Sequence, residues 1–344
     1  MPTRREFMRL ALSGLAAGFC GTAIAKEKPK MPFFRTRGVV VSPDDLTLGD
    51  WPERASSAGL TVIALGAAPS GLIQFIKSDS GKGFLAKCRQ LGLDVEYEMH
   101  AMFELLPRSL FTENPDFFRM DDDGKRTPDA NLCVHSDEAL EIVCDNAVVM
   151  CKALRPTTHR YFLWFDDGQP GCRCSKCREF SDSEQALIVE NRMLAAIRGF
   201  DAKARLAHLA YTRTMSPPVK VKPIPGVFLE FAPFTRSYKA SLRDPSNSRD
   251  LEALDANLKV FKAEDARILE YWLDVSLFSS WKKPAVKLDL DERILRDDLR
   301  AYAKRGIRSV TTFAVFIDKD YADRYGDPPI KQYGDALASG GMIE

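Results

Sequence analysis

The chain has 344 residues, 45% of them hydrophobic, enough to bury a large core as one barrel or as two smaller domains. Its 49 basic and 48 acidic residues leave a net charge of +1, which provides no footprint for nucleic acid or an anionic membrane surface. No run of about 18 apolar residues occurs, so no membrane span is expected in the mature chain.

The N-terminus reads as a targeting segment. Thr3-Arg4-Arg5-Glu6-Phe7-Met8 precedes an apolar run from Leu10 to Phe19, and Thr22-Ala23-Ile24-Ala25 supplies small residues for cleavage after Ala25. That order resembles a bacterial twin-arginine export signal. The expectation is a signal at 1–25 read by the twin-arginine export machinery, a linker at 26–35, one domain at 36–320 and a C-terminal tail at 321–344. The mature protein would be exported, to the periplasm or beyond, where disulfides are permitted. Loss of Cys20 with the signal leaves seven of the eight cysteines, an odd number that cannot all pair within one chain.

From residue 36 onward, strand and helix patterns alternate. Strands are expected at 37–42, 60–65, 93–102, 160–165, 205–212, 226–233, 267–274 and 309–316. Helical periodicity or capping signals fall at 52–58, 72–91, 136–154, 181–200, 251–263 and 291–304, with Ser136 and Ser181 or Asp182 as N-caps. A hairpin turning at Asp123-Gly124 interrupts the run before Ser136. Eight strands, most followed by a helix, and no Gly-rich phosphate loop favour an α/β fold of the (β/α)8 TIM type, a single domain, over an open doubly wound sheet.

In a barrel, alternate strand residues face the helices and the barrel interior. If Val95, Tyr97 and Met99 pack outward, Glu96, Glu98 and His100 point in. If Leu163 and Phe165 pack outward, Trp164 and Asp166 point in, and Asp167 moves to the following loop. Val227, Leu229 and Phe231 outward leave Phe228 and Glu230 inward. Leu269, Tyr271 and Leu273 outward leave Glu270, Trp272 and Asp274 inward. Four strands then aim acids at one mouth. The plain alternative for each acid is an ion pair with an Arg such as Arg37 or Arg236. As a group, paired carboxylates suit glycosidic bond cleavage, one donating a proton and the other acting as nucleophile or base. Trp164 and Trp272 would stack on sugar rings, and His100 would position the sugar. This chemistry requires no cofactor. His208 reads as structural.

Cys172, Cys174 and Cys177 form C-x-C-x-x-C directly after the fourth strand. A tetrahedral zinc would need a fourth ligand, for which Cys133 is the first candidate and His135 the second; a disulfide within the cluster or to Cys133 is the alternative. Either would staple the loop carrying Asp166 and Asp167. Cys88, Cys144 and Cys151 lie on helical patterns and read as buried thiols.

These residues carry a resemblance. His100, Pro107, Asn114-Pro115-Asp116-Phe117-Phe118, Asp123-Gly124-Lys125-Arg126, Asn131-Leu132-Cys133, and Asp167-Gly168 through Cys172-Arg173-Cys174-Ser175-Lys176-Cys177 occur in that order. Ala210-Tyr211 with Pro217-Pro218 and the strand end Tyr271-Trp272-Leu273-Asp274 follow. The set resembles a bacterial domain-of-unknown-function family, number 4838, of glycoside-hydrolase-like barrels distantly related to alpha-glucuronidases. The resemblance implies a TIM-type barrel, an exported protein, a carbohydrate ligand and Tyr211 among its contacts. It is loose around Glu230. It also departs late in the eighth strand, where family members tend to carry a Glu and this chain has Thr311-Thr312-Phe313. The leading expectation is an exported glycoside hydrolase-like barrel using Asp166 or Asp167 with Glu230, Glu270 or Asp274. A non-catalytic carbohydrate-binding barrel is the alternative, and a metal-dependent hydrolase built on the cysteines comes third.

Overall fold

A computed structural model describes residues 32–340. The export-signal reading of residues 1–25 lies outside the described residues. Eight parallel strands close into a barrel in chain order. They are β1 Thr36–Val41, β2 Val62–Gly66, β3 Asp94–His100, β4 Arg160–Trp164, β5 Arg205–Ala210, β6 Val227–Phe231, β7 Arg267–Glu270 and β8 Ser309–Phe313. Closure is made by β8 against β1, with Thr36 opposite Ser309 and Val40 opposite Phe313.

The local chemistry explains these elements. Residues 39–41 of β1 and 62–65 of β2 are unbroken apolar runs because both faces are buried there. Helix Asp137–Ala153 starts where the Ser136 side chain accepts the Ala139 N–H. Helix Asp182–Ile197 starts in a capping box between Ser181 and Glu184. The Asp291 carboxylate caps helix Glu292–Lys304 by accepting from the N–H groups of Arg293 and Ile294. The hairpin forms as well, with Met120 bridged to Arg126 and Gly124 at φ 81°, a left-handed angle that suits glycine.

Two apolar cores result. One lies between strands and helices, the other inside the barrel, where Val40, Ala64, Phe162, Trp164, Phe228, Leu269 and Tyr271 meet. The alternation expected for β3, β4 and β6 is the one observed. β7 is reversed: Leu269 and Tyr271 face the interior, and Glu270 and Trp272 face the helices. Glu270 accepts from Arg236 Nη1 at 2.8 Å and from the Tyr302 hydroxyl. Trp272 Nε1 donates to Asp298 Oδ2 at 3.0 Å, and its ring packs on Tyr302 and Tyr333. The run Ile268-Leu269-Glu270-Tyr271-Trp272-Leu273 is bulky on both faces, so only Glu270 suggested a polar side, and Arg236 supplies that acid with a partner behind the sheet.

Residues 321–344, expected as a tail, contain helix Ile330–Ser339, whose Ile330, Tyr333, Ala336 and Leu337 are buried. The Tyr333 hydroxyl donates to the Gly38 carbonyl at 2.9 Å. Gly334 lies against Ala58, where an added Cβ would meet the Ala58 carbonyl oxygen at 2.0 Å. Residues 330–339 therefore belong to the helical layer.

Candidate active site

The strands' C-terminal ends open into a pocket of about 480 Å³. This is the face on which barrels of this kind present reactive groups. Three acids line it: Glu98 from β3, Asp167 after β4 and Asp274 after β7. Aromatic walls come from Trp164, Tyr211, Phe234, Tyr271, Phe313 and, on the rim, Trp281, which is 61% exposed.

Each acid is held differently. Asp274 caps the short helix Val275–Phe278: its Oδ1 accepts from the N–H groups of Ser276 and Leu277 and from the Ser276 hydroxyl at 2.5 Å. Its Oδ2 has no hydrogen-bond partner among the described residues. Burial raises the Asp274 carboxyl above the usual carboxylate range, against the pull of those bonds. Asp167 is exposed, and its Oδ1 lies 3.8 Å from His100 Nε2. His100 Nδ1 bonds the Phe165 carbonyl and so carries a proton, which fixes the ring and leaves Nε2 facing Asp167. The Tyr211 hydroxyl is raised by burial and then by the charge of Asp167. Tyr271 is raised by burial and by Tyr211, Asp274, Glu270 and Asp167, so its hydroxyl lies in the field of both mouth acids.

Glu98 belongs also to a buried network below the pocket. Arg267 bridges Glu96 and Glu98, reaching Glu98 Oε1 at 2.8 Å. Trp164 Nε1 donates to Glu230 Oε2 at 3.0 Å, and Glu230 Oε1 sits 4.0 Å from Arg267 Nη1. Glu98 Oε2 and Glu230 Oε1 are buried with no hydrogen-bond partner. Burial, then Glu230, raises Glu98 well above a normal carboxyl; burial raises Glu230 to about 7, with Glu96 adding and Arg267 and Arg160 opposing. Burial thus biases both carboxyls at the floor of the pocket toward the protonated form, against the pull of Arg267.

The expected site residues separate accordingly. Asp167, Asp274, His100, Trp164 and Tyr211 come together around the pocket. Glu230 sits beneath it, behind Trp164. Glu270 and Trp272 are on the helix side and are removed from the site. Asp166 points away from the pocket and ties two loops together: its carboxylate accepts from the N–H groups of Phe103 at 2.9 Å and Asn131 at 2.7 Å. The sequence reading missed Phe234, Tyr271, Phe313 and Trp281. Tyr271 was lost to the parity of β7, and Trp281 lies in a loop whose only signal is an aromatic among small and charged residues. Cys133, Cys172, Cys174 and Cys177 gather in one buried cluster, and none of them lines the pocket. That separation removes the reading of a hydrolase whose catalytic metal sits on these cysteines.

A closed parallel barrel of eight strands with an acid-bearing, aromatic mouth has the architecture of the glycoside-hydrolase-like TIM barrels. The chain belongs to the family described as a domain of unknown function, DUF4838, whose model matches residues 77–321. No curated protein matches it in sequence. Among solved structures it is similar to an endo-beta-mannanase/endo-beta-glucanase from Prevotella bryantii, at 9% identity and TM-score 0.50, covering 88% of this chain and 48% of that one. It is similar also to a family 5 glycoside hydrolase from Prevotella bryantii solved with a xyloglucan tetradecasaccharide, at 12% identity and TM-score 0.51, covering 86% of each chain. A tri-modular endo-beta-1,4-glucanase from Bacillus licheniformis, complexed with cellotetraose, is similar at 10% identity and TM-score 0.51, covering 89% of this chain and 59% of that one. The chain spans about half the length of the first of these proteins. At such identities the likeness is one of fold.

Proposed function

We propose that the protein is a glycoside hydrolase-like enzyme that binds a carbohydrate in the barrel mouth. In this reading Asp274 is the proton donor and Asp167 the nucleophile or base. The observation that carries it is the pocket itself: three strand-end acids within a ring of aromatic side chains. Aromatic faces suit the apolar faces of sugar rings, and carboxyls of unequal environment suit acid and base roles. Asp274 is the buried one, its carboxyl raised by burial and one of its oxygens free, so of the two it is better suited to donate a proton to the leaving group. His100 and Tyr211 border Asp167 and orient it or the sugar.

A second reading, a barrel that binds sugar without cleaving it, is favoured by one observation. Phe313 lines the pocket at the end of β8, where the family resemblance implies a Glu. Turnover of a panel of acidic and neutral aryl-glycosides, run beside thermal stabilisation by the matching free sugars, separates the two. Turnover supports the enzyme; stabilisation with no turnover supports the binding barrel; neither would sink the carbohydrate reading altogether. The same proposal takes the protein as exported through its twin-arginine-like segment. Cell fractionation of the wild type against an Arg4→Lys, Arg5→Lys variant tests this, and retention of both in the cytoplasm would reject it.

A further inference from the structure

The four cysteines of the loop cluster are all buried, and their Sγ atoms all lie within 4.8 Å of one another. Cys133 Sγ is 3.8 Å from Cys177 Sγ and 3.9 Å from Cys174 Sγ. A regular tetrahedron of thiolates around zinc, with Zn–S near 2.3 Å, has S···S edges of about 3.8 Å. Sulfurs joined in a disulfide stand only about 2.05 Å apart. The spacing is that of four ligands around one centre.

The surroundings supply what a thiolate cluster needs. Cys172 Sγ accepts from the N–H groups of Met120 at 3.3 Å and Cys174 at 3.5 Å, and from Arg126 Nη1 at 3.6 Å. His135 Nδ1 lies 3.2 Å from Cys177 Sγ, a partner to a ligand and not the ligand itself. N–H donors and a guanidinium aimed at sulfur offset the negative charge of four thiolates on a divalent ion.

We propose that Cys133, Cys172, Cys174 and Cys177 bind one structural zinc ion. All four positions of the tetrahedron are filled by protein sulfur and none opens to the pocket, so the ion is a staple, not a Lewis acid for substrate. It joins the segment ending at Cys133 to the loop after β4. The same two segments are joined by Asn131 and Asp166, each of which donates its N–H to the other's side chain, at 2.7 and 2.9 Å. Arg173 N also donates to the Met120 carbonyl at 2.8 Å. Asp167 follows directly on this knot. The ion therefore fixes the base of the loop that carries a mouth acid, and it does so whether or not that mouth cleaves sugar.

The test is elemental analysis of the full chain, purified without chelator, together with thiol counting. The expected result is about one zinc per chain. Release of that zinc under denaturing, chelating conditions should expose all seven described cysteines as free thiols without reductant. Cys174→Ser should lose the ion, while Cys88→Ser, outside the cluster, should keep it. Should Cys174→Ser fail to fold, wild type grown in cobalt should show the intense visible ligand-field and charge-transfer bands of a tetrahedral thiolate site. Metal-free wild type, with its thiols free or oxidised, overturns the proposal. So does iron in place of zinc, or full zinc retention by Cys174→Ser.

Discussion

Arg267 and Glu98 face each other inside the barrel at 2.8 Å, both fully removed from solvent. The same guanidinium also holds Glu96, and its plane lies over the Phe162 ring with the centroid 4.5 Å away. Both carboxyls are buried, Glu98 at the floor of the pocket, and the cost of their burial is offset by this one cation and its neighbour Arg160. Arg267→Met keeps the packing volume and deletes the charge. It is expected to lower unfolding stability by about 3–5 kcal/mol. Combining it with Glu98→Gln should restore part of the loss. Urea unfolding of the single and double variants measures both effects; additive losses would show that the two groups are not coupled.

Glu230 gives the same network a pH signature. Its folded carboxyl sits at about 7, mainly through burial, whereas an unfolded Glu titrates near ~4.3. Below the lower value both states hold the proton. Between the two, the unfolded chain releases its proton and the folded chain keeps it, so stability falls as pH rises through this window, and the loss is complete above it. Glu230→Gln should therefore gain on the wild type as pH rises from 4 to 8, by up to the order of 3 kcal/mol. Melting temperatures across that range check it. A constant difference would mean that Glu230 titrates as an exposed acid.

Asp166 and Asp167 are neighbours with separate duties. Asp166→Ala removes the acceptor for two backbone N–H groups, at Phe103 and Asn131. The expected cost is about 1–3 kcal/mol. Asp167→Ala takes an exposed side chain from the rim and should leave stability nearly unchanged while abolishing sugar turnover. Thermal melts and activity assays on the pair test the division, and equal effects of the two on stability would contradict it.

The barrel was legible in the sequence because its strands alternate with capped helices, and capping is local chemistry: Ser136 and Ser181 mark their helices within a few residues. The inward acids of β3 and β6, and Trp164 on β4, were legible because each sits between apolar neighbours on a two-residue period; Asp166 lies past the end of β4, where that period no longer holds. β7 was not, since Leu269, Tyr271 and Trp272 make both faces bulky. The partners that receive Glu270 and Trp272 lie far away in sequence, at Arg236, Asp298 and Tyr302. The same distance hid Phe234 and Trp281, which reach the mouth on loops. The cysteine cluster was legible as a set: C-x-C-x-x-C announces itself, Cys133 was the first candidate to join it, and the fold brings that residue in and leaves His135 beside Cys177.

Trp272 and Tyr271, adjacent in sequence, serve opposite sides of the barrel wall and should respond oppositely. Trp272→Phe removes one hydrogen bond to Asp298, which keeps Arg236 and the Leu242 N–H as partners. The expected loss is about 1 kcal/mol of stability with sugar binding unchanged. Tyr271→Phe deletes a hydroxyl that makes no hydrogen bond among the described residues, so it should leave stability nearly unchanged and weaken sugar-induced stabilisation. Thermal shift with and without sugar reads both, and loss of sugar response in Trp272→Phe would return that side chain to the mouth.

Asp274 and Asp167 can be told apart by the leaving group. A proton donor matters most when the departing oxygen is a poor leaving group and least when it is a stable phenolate. Asp274→Asn keeps the cap geometry at Oδ1 and removes the proton. It should cut turnover of alkyl glycosides and oligosaccharides by about 10²–10⁴-fold, the range of general acid catalysis, and spare nitrophenyl glycosides far more. It should also erase the alkaline limb of the kcat/KM profile, the limb that loss of a general acid's proton produces. Asp167→Asn removes the nucleophile or base and should abolish both substrates alike. The comparison needs one substrate of each kind and a pH series. If Asp167→Asn is the variant that spares nitrophenyl glycosides, the roles are exchanged, and Asp167 on the exposed rim is the acid.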